Sequence, residues 1–219
     1  MGLADTFERF IKPRRLRKLA ALKSPLGDYY RAGGDALLLR GAPIGSEDTV
    51  VDVGAFAGAF TTEICWRFGA RCVAVEPVPS FCRMLNERFS GNGRVRIVEA
   101  AIGASDSEIE LRLQNDSTTA YASPGGERIR APCIDSARLV KEAAPVALLK
   151  LNVEGAEYDA LDRLVSTELL AGIRSVLVQF HRVAPDSEGR RERIRKALAV
   201  THREVFSYPF VWERWDLLR

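Results

Sequence analysis

From Thr49 onward, short apolar runs alternate with segments of helical spacing, and this alternation constrains the chain more than any other feature. Thr49–Val53, Arg71–Val75, residues 94–99 and Val146–Leu151 are β-branched or continuously apolar runs of strand length. Ala59–Phe68, residues 79–89 and residues 157–170 carry apolar residues three and four apart, and Pro79 stands where a first helical turn tolerates proline. Continuously apolar strands are buried on both faces, and parallel neighbours need a crossover, here a helix. The pattern predicts an α/β fold: a Rossmann-like, mostly parallel sheet with helices on both faces. Residues 108–113 and 128–134 alternate polar and apolar side chains and read as strands joined by a polar loop that turns at Ser123-Pro124-Gly125-Gly126. Asp135 is a natural N-cap for a short helix over 135–142. Residues 174–180 read as a strand, 187–200 as a charged helix and 204–211 as the final, antiparallel strand.

The first 48 residues read differently, as an N-terminal helical cap on a single unit spanning 49–219. Two amphipathic stretches, 7–22 and 24–31, are interrupted near Pro13, and Gly33, Gly34, Gly41, Pro43 and Gly45 punctuate the connection that follows. The opening Met1-Gly2-Leu3-Ala4-Asp5-Thr6 and the basic cluster Lys12, Arg14, Arg15, Arg17 and Lys18 loosely match a two-signal membrane anchor. A basic surface helix is the simpler expectation, with no stable membrane anchor. No run approaches the roughly 20 apolar residues of a spanning helix. Four cysteines without a CxxC pair, beside only two histidines, argue against zinc and for reduced core thiols in a cytoplasmic protein. The net charge of +3 is too small to argue for nucleic acid.

In a doubly wound sheet, ligands bind beyond the carboxyl ends of the strands. The first strand ends in Asp52-Val53-Gly54-Ala55-Phe56-Ala57-Gly58, where the glycines allow a tight turn. The second ends in Val75-Glu76-Pro77, and Glu76 stands 22 positions after Gly54. An acidic residue at that separation is placed to accept hydrogen bonds from ribose hydroxyls. Phe56 occupies the position of the second glycine of a G-x-G-x-x-G loop and obstructs a pyrophosphate. Asp52 suits a cationic ligand end. These features favour S-adenosylmethionine, which carries an ammonium, a sulfonium and no phosphate, over a nicotinamide dinucleotide.

The blocks VDVGAFAGAFT (Val51–Thr61), VAVEPVPSFCRMLNERF (Val73–Phe89), VEAAIG (Val98–Gly103), LLKLNVEGAEYDAL (Leu148–Leu161) and LVQFHR (Leu177–Arg182) together resemble the FkbM-type family of class I methyltransferases. The resemblance runs over about residues 35–185, and its most specific part is the LKxxVEGAE block. It implies O-methylation of a hydroxyl on a sugar or natural-product-like molecule. Carried onto this chain, it implies that Asp52, Gly54, Gly58 and Thr61 surround the methionine end, with Phe56 inside the loop. Glu76, followed by Pro77, would hold the ribose, and Ala100 and Ala101 would lie near adenine. Two positions depart from the family pattern: Phe56 replaces its usual Asn, and Asn152 replaces an Asp. The second change removes a carboxylate that a metal-chelating mechanism would use, and no metal is expected.

An alcohol nucleophile needs its proton removed. Glu154, at the end of the Val146–Leu151 strand, and His181, at the end of the next strand, are the candidate bases. Lys150 and Asn152 share a strand face and complete the candidate catalytic set. A buried lysine needs a partner: Glu154, an acidic substrate or another carboxylate. Asn115, Asp116, Ser117, Thr118 and Thr119 form a polar loop placed to touch an acceptor. Tyr29 and Tyr30 are candidates for core packing or a cofactor lid, and Trp212 and Trp215 for a substrate or homodimer surface. The expected partner is thus a small-molecule or glycan acceptor, not nucleic acid. The alternative reading, motivated by Phe56 and Asn152, is a non-catalytic cofactor-binding member of the same fold.

Overall fold

The computed structural model describes residues 13–114, 117–119 and 127–218. The chain runs α1 (Pro13–Ala20), α2 (Pro25–Arg31), a 3-10 turn (Gly34–Leu37), β1 (Thr49–Val53), α3 (Ala59–Phe68), β2 (Arg71–Val75), α4 (Pro79–Arg88) and β3 (Val95–Val98). It continues with β4 (Ala101–Gly103), β5 (Ser107–Gln114), β6 (Ser117–Thr119), β7 (Glu127–Asp135), α5 (Ser136–Ala143) and β8 (Val146–Leu151). The remainder is α6 (Glu157–Ser166), a second 3-10 turn (Leu169–Gly172), β9 (Ser175–Val178), α7 (Ser187–Thr201), β10 (His202–Tyr208) and β11 (Trp212–Leu217).

Strands β1, β2, β3, β8 and β9 pair in parallel, as continuously apolar strands should. The sheet order is β10-β11-β9-β8-β1-β2-β3, and β11 is antiparallel to both of its neighbours. Alternate residues face opposite layers. Val51, Val73, Leu149 and Val176 join a core with Leu139 of α5, Tyr158 and Leu161 of α6, and Ile194 of α7. Val50, Cys72, Leu148 and Leu177 join a second core with Tyr29 of α2, Ile64 of α3 and Trp212. β4, β7, β5 and β6 form a separate sheet.

The local sequence explains most element ends. Ser24 caps α2 by accepting the Gly27 amide, and Asp135 caps α5 by accepting the Ala137 amide. The expected helix over 157–170 stops at Ser166, because Glu168 adopts a left-handed conformation that no α-helix continues through. The expected strand over 204–211 is two antiparallel strands, β10 and β11, folded back at Phe210, whose φ is 58°. Ser117–Thr119 is a strand paired with β5 and not a loop. Asn115, Asp116, the Ser123–Gly126 turn and the Met1–Thr6 pattern lie outside the described residues. All four cysteines are free thiols. Among the described residues, no helix is long and apolar enough to cross a membrane.

Candidate active site

β1, β2 and β8 end side by side, and their three carboxyl-terminal loops build the site. Gly54 turns the chain out of β1 with φ +78°, and a Cβ there would lie 2.0 Å from the Asn152 carbonyl oxygen. No other residue lets the β1 and β8 loops approach so closely. Gly58 has a different job. A Cβ at 58 would meet Leu85 and Phe89 at under 3 Å, so this glycine packs α3 against α4 rather than admitting a ligand.

Glu76 ends β2 and is 4% exposed. Its carboxylate accepts the amides of Phe56 at 2.9 Å and Val78 at 3.0 Å. Burial raises its pKa, and the two amides partly offset that. Each oxygen keeps a second lone pair for a ligand hydroxyl.

A first cavity lies above these loops, and its wall includes Gly54, Phe56, Glu76, Pro77, Ala100, Ala101, Asn152 and Glu154. Phe56 and Phe81 meet edge to face at 4.3 Å on its rim, and Ile109 and Leu111 of β5 close another side. Among the described residues, its charged side chains are Glu76 and Glu154. Apolar walls with carboxylates and no cation suit an adenosine with a positively charged sulfur and disfavour a pyrophosphate. The cavity therefore fits S-adenosylmethionine, and Glu76, Ala100 and Ala101, expected near its adenosine, all stand on the wall.

Asp52 and Thr61 stand behind this wall, not on it. Asp52 is fully buried; Thr61 donates to its Oδ2 at 2.7 Å and Lys150 to its Oδ1 at 2.8 Å. Asp52 lines neither cavity, so the carboxylate braces the β1 loop where direct contact with a cationic ligand end was expected. The pair answers the question of Lys150's partner: Asp52 and Lys150 are register neighbours on β1 and β8. Lys150 also donates to the Gly54 carbonyl at 2.8 Å.

Beyond Asn152, the chain turns at Glu154, a non-glycine residue with φ 50°. Glu157 was not among the sequence candidates, yet it organises this loop. It is fully buried; Oε2 accepts the Gly155 amide at 2.8 Å, and Oε1 accepts the His181 amide at 2.7 Å. His181 Nδ1 lies 3.1 Å from the same Oε1, while Nε2 lies 3.6 Å from Glu154 Oε1. Burial alone would lower the His181 pKa, but the hydrogen bond and charge of Glu157, with the charge of Glu154, raise it. The sequence clue to Glu157 is its position two residues after the turn glycine, where a carboxylate reaches back to the loop amide.

A second cavity opens on the α3 side of the sheet and shares Gly54, Phe56 and Asn152 with the first. Its wall includes Tyr30, Asp35, Phe60, Glu63, Lys150 and Trp212. Tyr30 lines it while Tyr29 is core. Trp212 and Trp215 are both buried, so neither offers a surface to a second copy, while Trp212 stands on the wall of this cavity. Among the described residues, no group of three or more metal-binding side chains occurs.

A seven-stranded sheet in this order, with the one antiparallel strand next to the edge and a carboxylate ending the second strand, defines a class I methyltransferase. Residues 52–208 match the family described as "Methyltransferase FkbM domain". The chain belongs to this FkbM methyltransferase family, and its methyl donor is S-adenosylmethionine. No curated protein matches the sequence. Among solved structures, the chain is similar to a putative rRNA-methylase from Clostridium thermocellum, with TM-score 0.51 and 11% identity over 90% of this chain and 100% of that one. It is also similar to the Methanococcus jannaschii fibrillarin pre-rRNA processing protein, with TM-score 0.50 and 9% identity over 80% of this chain and 68% of that one. Identities this low show the shared fold. Their names overturn the expected partner, a small-molecule or glycan acceptor with nucleic acid excluded, because this fold is shared with proteins named for RNA.

Proposed function

We propose that the chain methylates a hydroxyl oxygen, with Glu154 and His181 receiving the hydroxyl proton. The observation that carries this reading is the row Glu154–His181–Glu157, which begins at Glu154 on the first cavity's wall, two residues after Asn152, a residue both cavities share. When bound, S-adenosylmethionine supplies an electrophilic methyl group. The chain's own tasks are alignment and proton removal. Glu157 accepts from Nδ1–H and so leaves the His181 lone pair on Nε2, facing Glu154. The proton passes from the hydroxyl to the Glu154 carboxylate and on to Nε2. There the two glutamates stabilise the imidazolium, as the raised pKa of His181 indicates.

The proposed carrier of that hydroxyl is RNA. Arg15 and Lys18 on α1 are exposed, and α1 also places Leu16 on the wall of the second cavity. Phe56 is 42% exposed where the cavities meet. Cations for phosphates beside an exposed ring for a base are what a single-stranded nucleic acid requires. The rRNA-methylase and pre-rRNA-processing names of the similar structures agree with this reading.

The test is transfer of a tritiated methyl group from S-adenosylmethionine to cellular RNA, followed by digestion to nucleosides. Label in O-methylated nucleosides is expected, with H181Q and E154Q turning over slowly while S-adenosylhomocysteine affinity is kept. Label on base nitrogen or carbon would reject the hydroxyl. Label in other acceptors alone would reject RNA, and cofactor binding without turnover on any acceptor would make the chain a non-catalytic member of its family.

A further inference from the structure

We infer that the 3-10 turn of the N-terminal segment, through Asp35, binds the amino-acid end of the cofactor. The inference rests on the S-adenosylmethionine reading of the first cavity and adds a contact that neither the glycine loop nor the β8 loop supplies. An α-amino acid end carries an ammonium and a carboxylate, so a cavity wall that offers it both a hydrogen-bonding anion and a cation suits it. Asp52 is the obvious anion by sequence, but it is fully buried, paired with Lys150, and lines neither cavity.

With the ribose at Glu76, the cofactor's other end runs past Gly54 and Phe56, which the two cavities share, and into the second cavity. Two carboxylates stand there, Asp35 and Glu63. Glu63 is already paired with Arg67 at 3.3 Å. Asp35 Oδ1 accepts the hydroxyl of Tyr29 at 2.6 Å, and Tyr29 is itself 1% exposed. A fully packed tyrosine thus fixes the orientation of a carboxylate whose Oδ2 has no partner among the described contacts. The turn that carries Asp35 is shaped for this. Gly33 and Gly34 both take positive φ, and a Cβ at Gly34 would press on the Tyr30 ring at 3.1 Å. Arg88, in the last turn of α4, lies on the same cavity wall without an ion-pair partner among the described residues and serves the α-carboxylate.

Calorimetry with two ligands tests the assignment. S-adenosylhomocysteine has the amino-acid end, whereas 5′-methylthioadenosine keeps the adenosine and sulfur and lacks it. D35N is expected to weaken S-adenosylhomocysteine by at least about tenfold, the scale of one charge-assisted contact, and to leave 5′-methylthioadenosine unchanged. Y29F, which keeps the charge and frees its orientation, is expected to weaken S-adenosylhomocysteine by less. Unchanged S-adenosylhomocysteine binding in D35N would overturn the proposal, and so would an equal loss for both ligands, which reports a damaged site. Wild-type protein that binds neither ligand would remove the cofactor reading itself, and this assignment with it.

Discussion

The loops after β1 and β8 are built alike and do different work. Each leaves a parallel strand, and each forces a non-glycine residue to φ 50°, Phe56 in one and Glu154 in the other. Each is tied down by a buried carboxylate that accepts a loop amide: Glu76 takes the Phe56 amide, and Glu157 takes the Gly155 amide. The difference lies in what else the carboxylate holds. Among the described residues Glu76 is hydrogen-bonded by two backbone amides, and it lines the cavity with lone pairs left that suit a neutral hydroxyl. Glu157 spends its second oxygen on His181, amide and ring together, so its loop gains a group that takes up protons. One architecture leaves a carboxylate on the cavity wall in the first case and holds an imidazole in the second, according to whether a titratable side chain sits beside the anchor.

The largest expected effect comes from separating the two strands that carry these loops. Lys150 is 5% exposed and Asp52 is fully buried. Replacing Lys150 by Met leaves an unpaired buried charge, which costs about 3–5 kcal/mol. Urea denaturation of K150M measures it. Adding D52N should recover part of the loss, as coupled sites require. If K150M costs under 1 kcal/mol, the Lys150–Asp52 brace is not what holds the loops together.

Next in size is Glu76→Ala, which removes the carboxylate proposed to hold the ribose. A hydrogen bond to a charged group contributes about 1.5–3 kcal/mol, or roughly tenfold to a hundredfold in affinity. Calorimetry should find this loss for S-adenosylhomocysteine and equally for 5′-methylthioadenosine, because both carry the ribose. Retained affinity would move the ribose elsewhere in the cavity.

His181 gives a smaller effect with a defined sign. Its folded pKa lies above the ordinary histidine value of 6.5 because Glu157 and Glu154 outweigh its burial. The protonated ring therefore stabilises the fold fully below pH 6.5, and this stabilisation disappears as pH rises through the folded pKa. The stability difference between wild type and H181Q should shrink as pH is raised from 6. A difference that stays flat or grows would mean that burial wins and the β8 loop holds a neutral histidine.

Much of the β1 loop was legible because its parts are close in sequence or set by strand spacing. The Gly54-to-Glu76 separation follows from one strand, one helix and the next strand. The β8 loop was half legible: Glu154 and His181 stand at strand ends, but Glu157 lies inside a helical pattern where a glutamate reads as surface. The Asp52–Lys150 pair spans 98 residues and becomes visible only when β1 and β8 are known to be neighbours. Thr61 and Gly58 illustrate the same limit, since family motifs mark such positions without separating wall from support. The fold-back at Phe210 carries one turn residue, Pro209, but the aromatic and β-branched side chains around it continue the pattern of a single strand, and the left-handed residue is a Phe where Gly or Asn is the usual signal.

Phe56 yields the finest test of the comparison, because it lets backbone and ring be separated. The left-handed conformation costs an ordinary L-residue about 1 kcal/mol and suits Asn better; the usual Asn at this family position fits that geometry. Phe56 offsets the cost with its edge-to-face contact on Phe81, a kind of pair that contributes about 0.5–1.5 kcal/mol. Phe56→Asn therefore trades one for the other, and its stability should stay within about 1 kcal/mol of wild type. Phe56→Ala loses the ring and keeps the strain. Neither variant can stack on Phe81, so any advantage of Asn over Ala in chemical denaturation, expected at about 0.5–1 kcal/mol, reports the backbone alone. Equal stability of the two would show that the β1 loop is not held in the left-handed region, and the likeness between the two loops would end at their carboxylates.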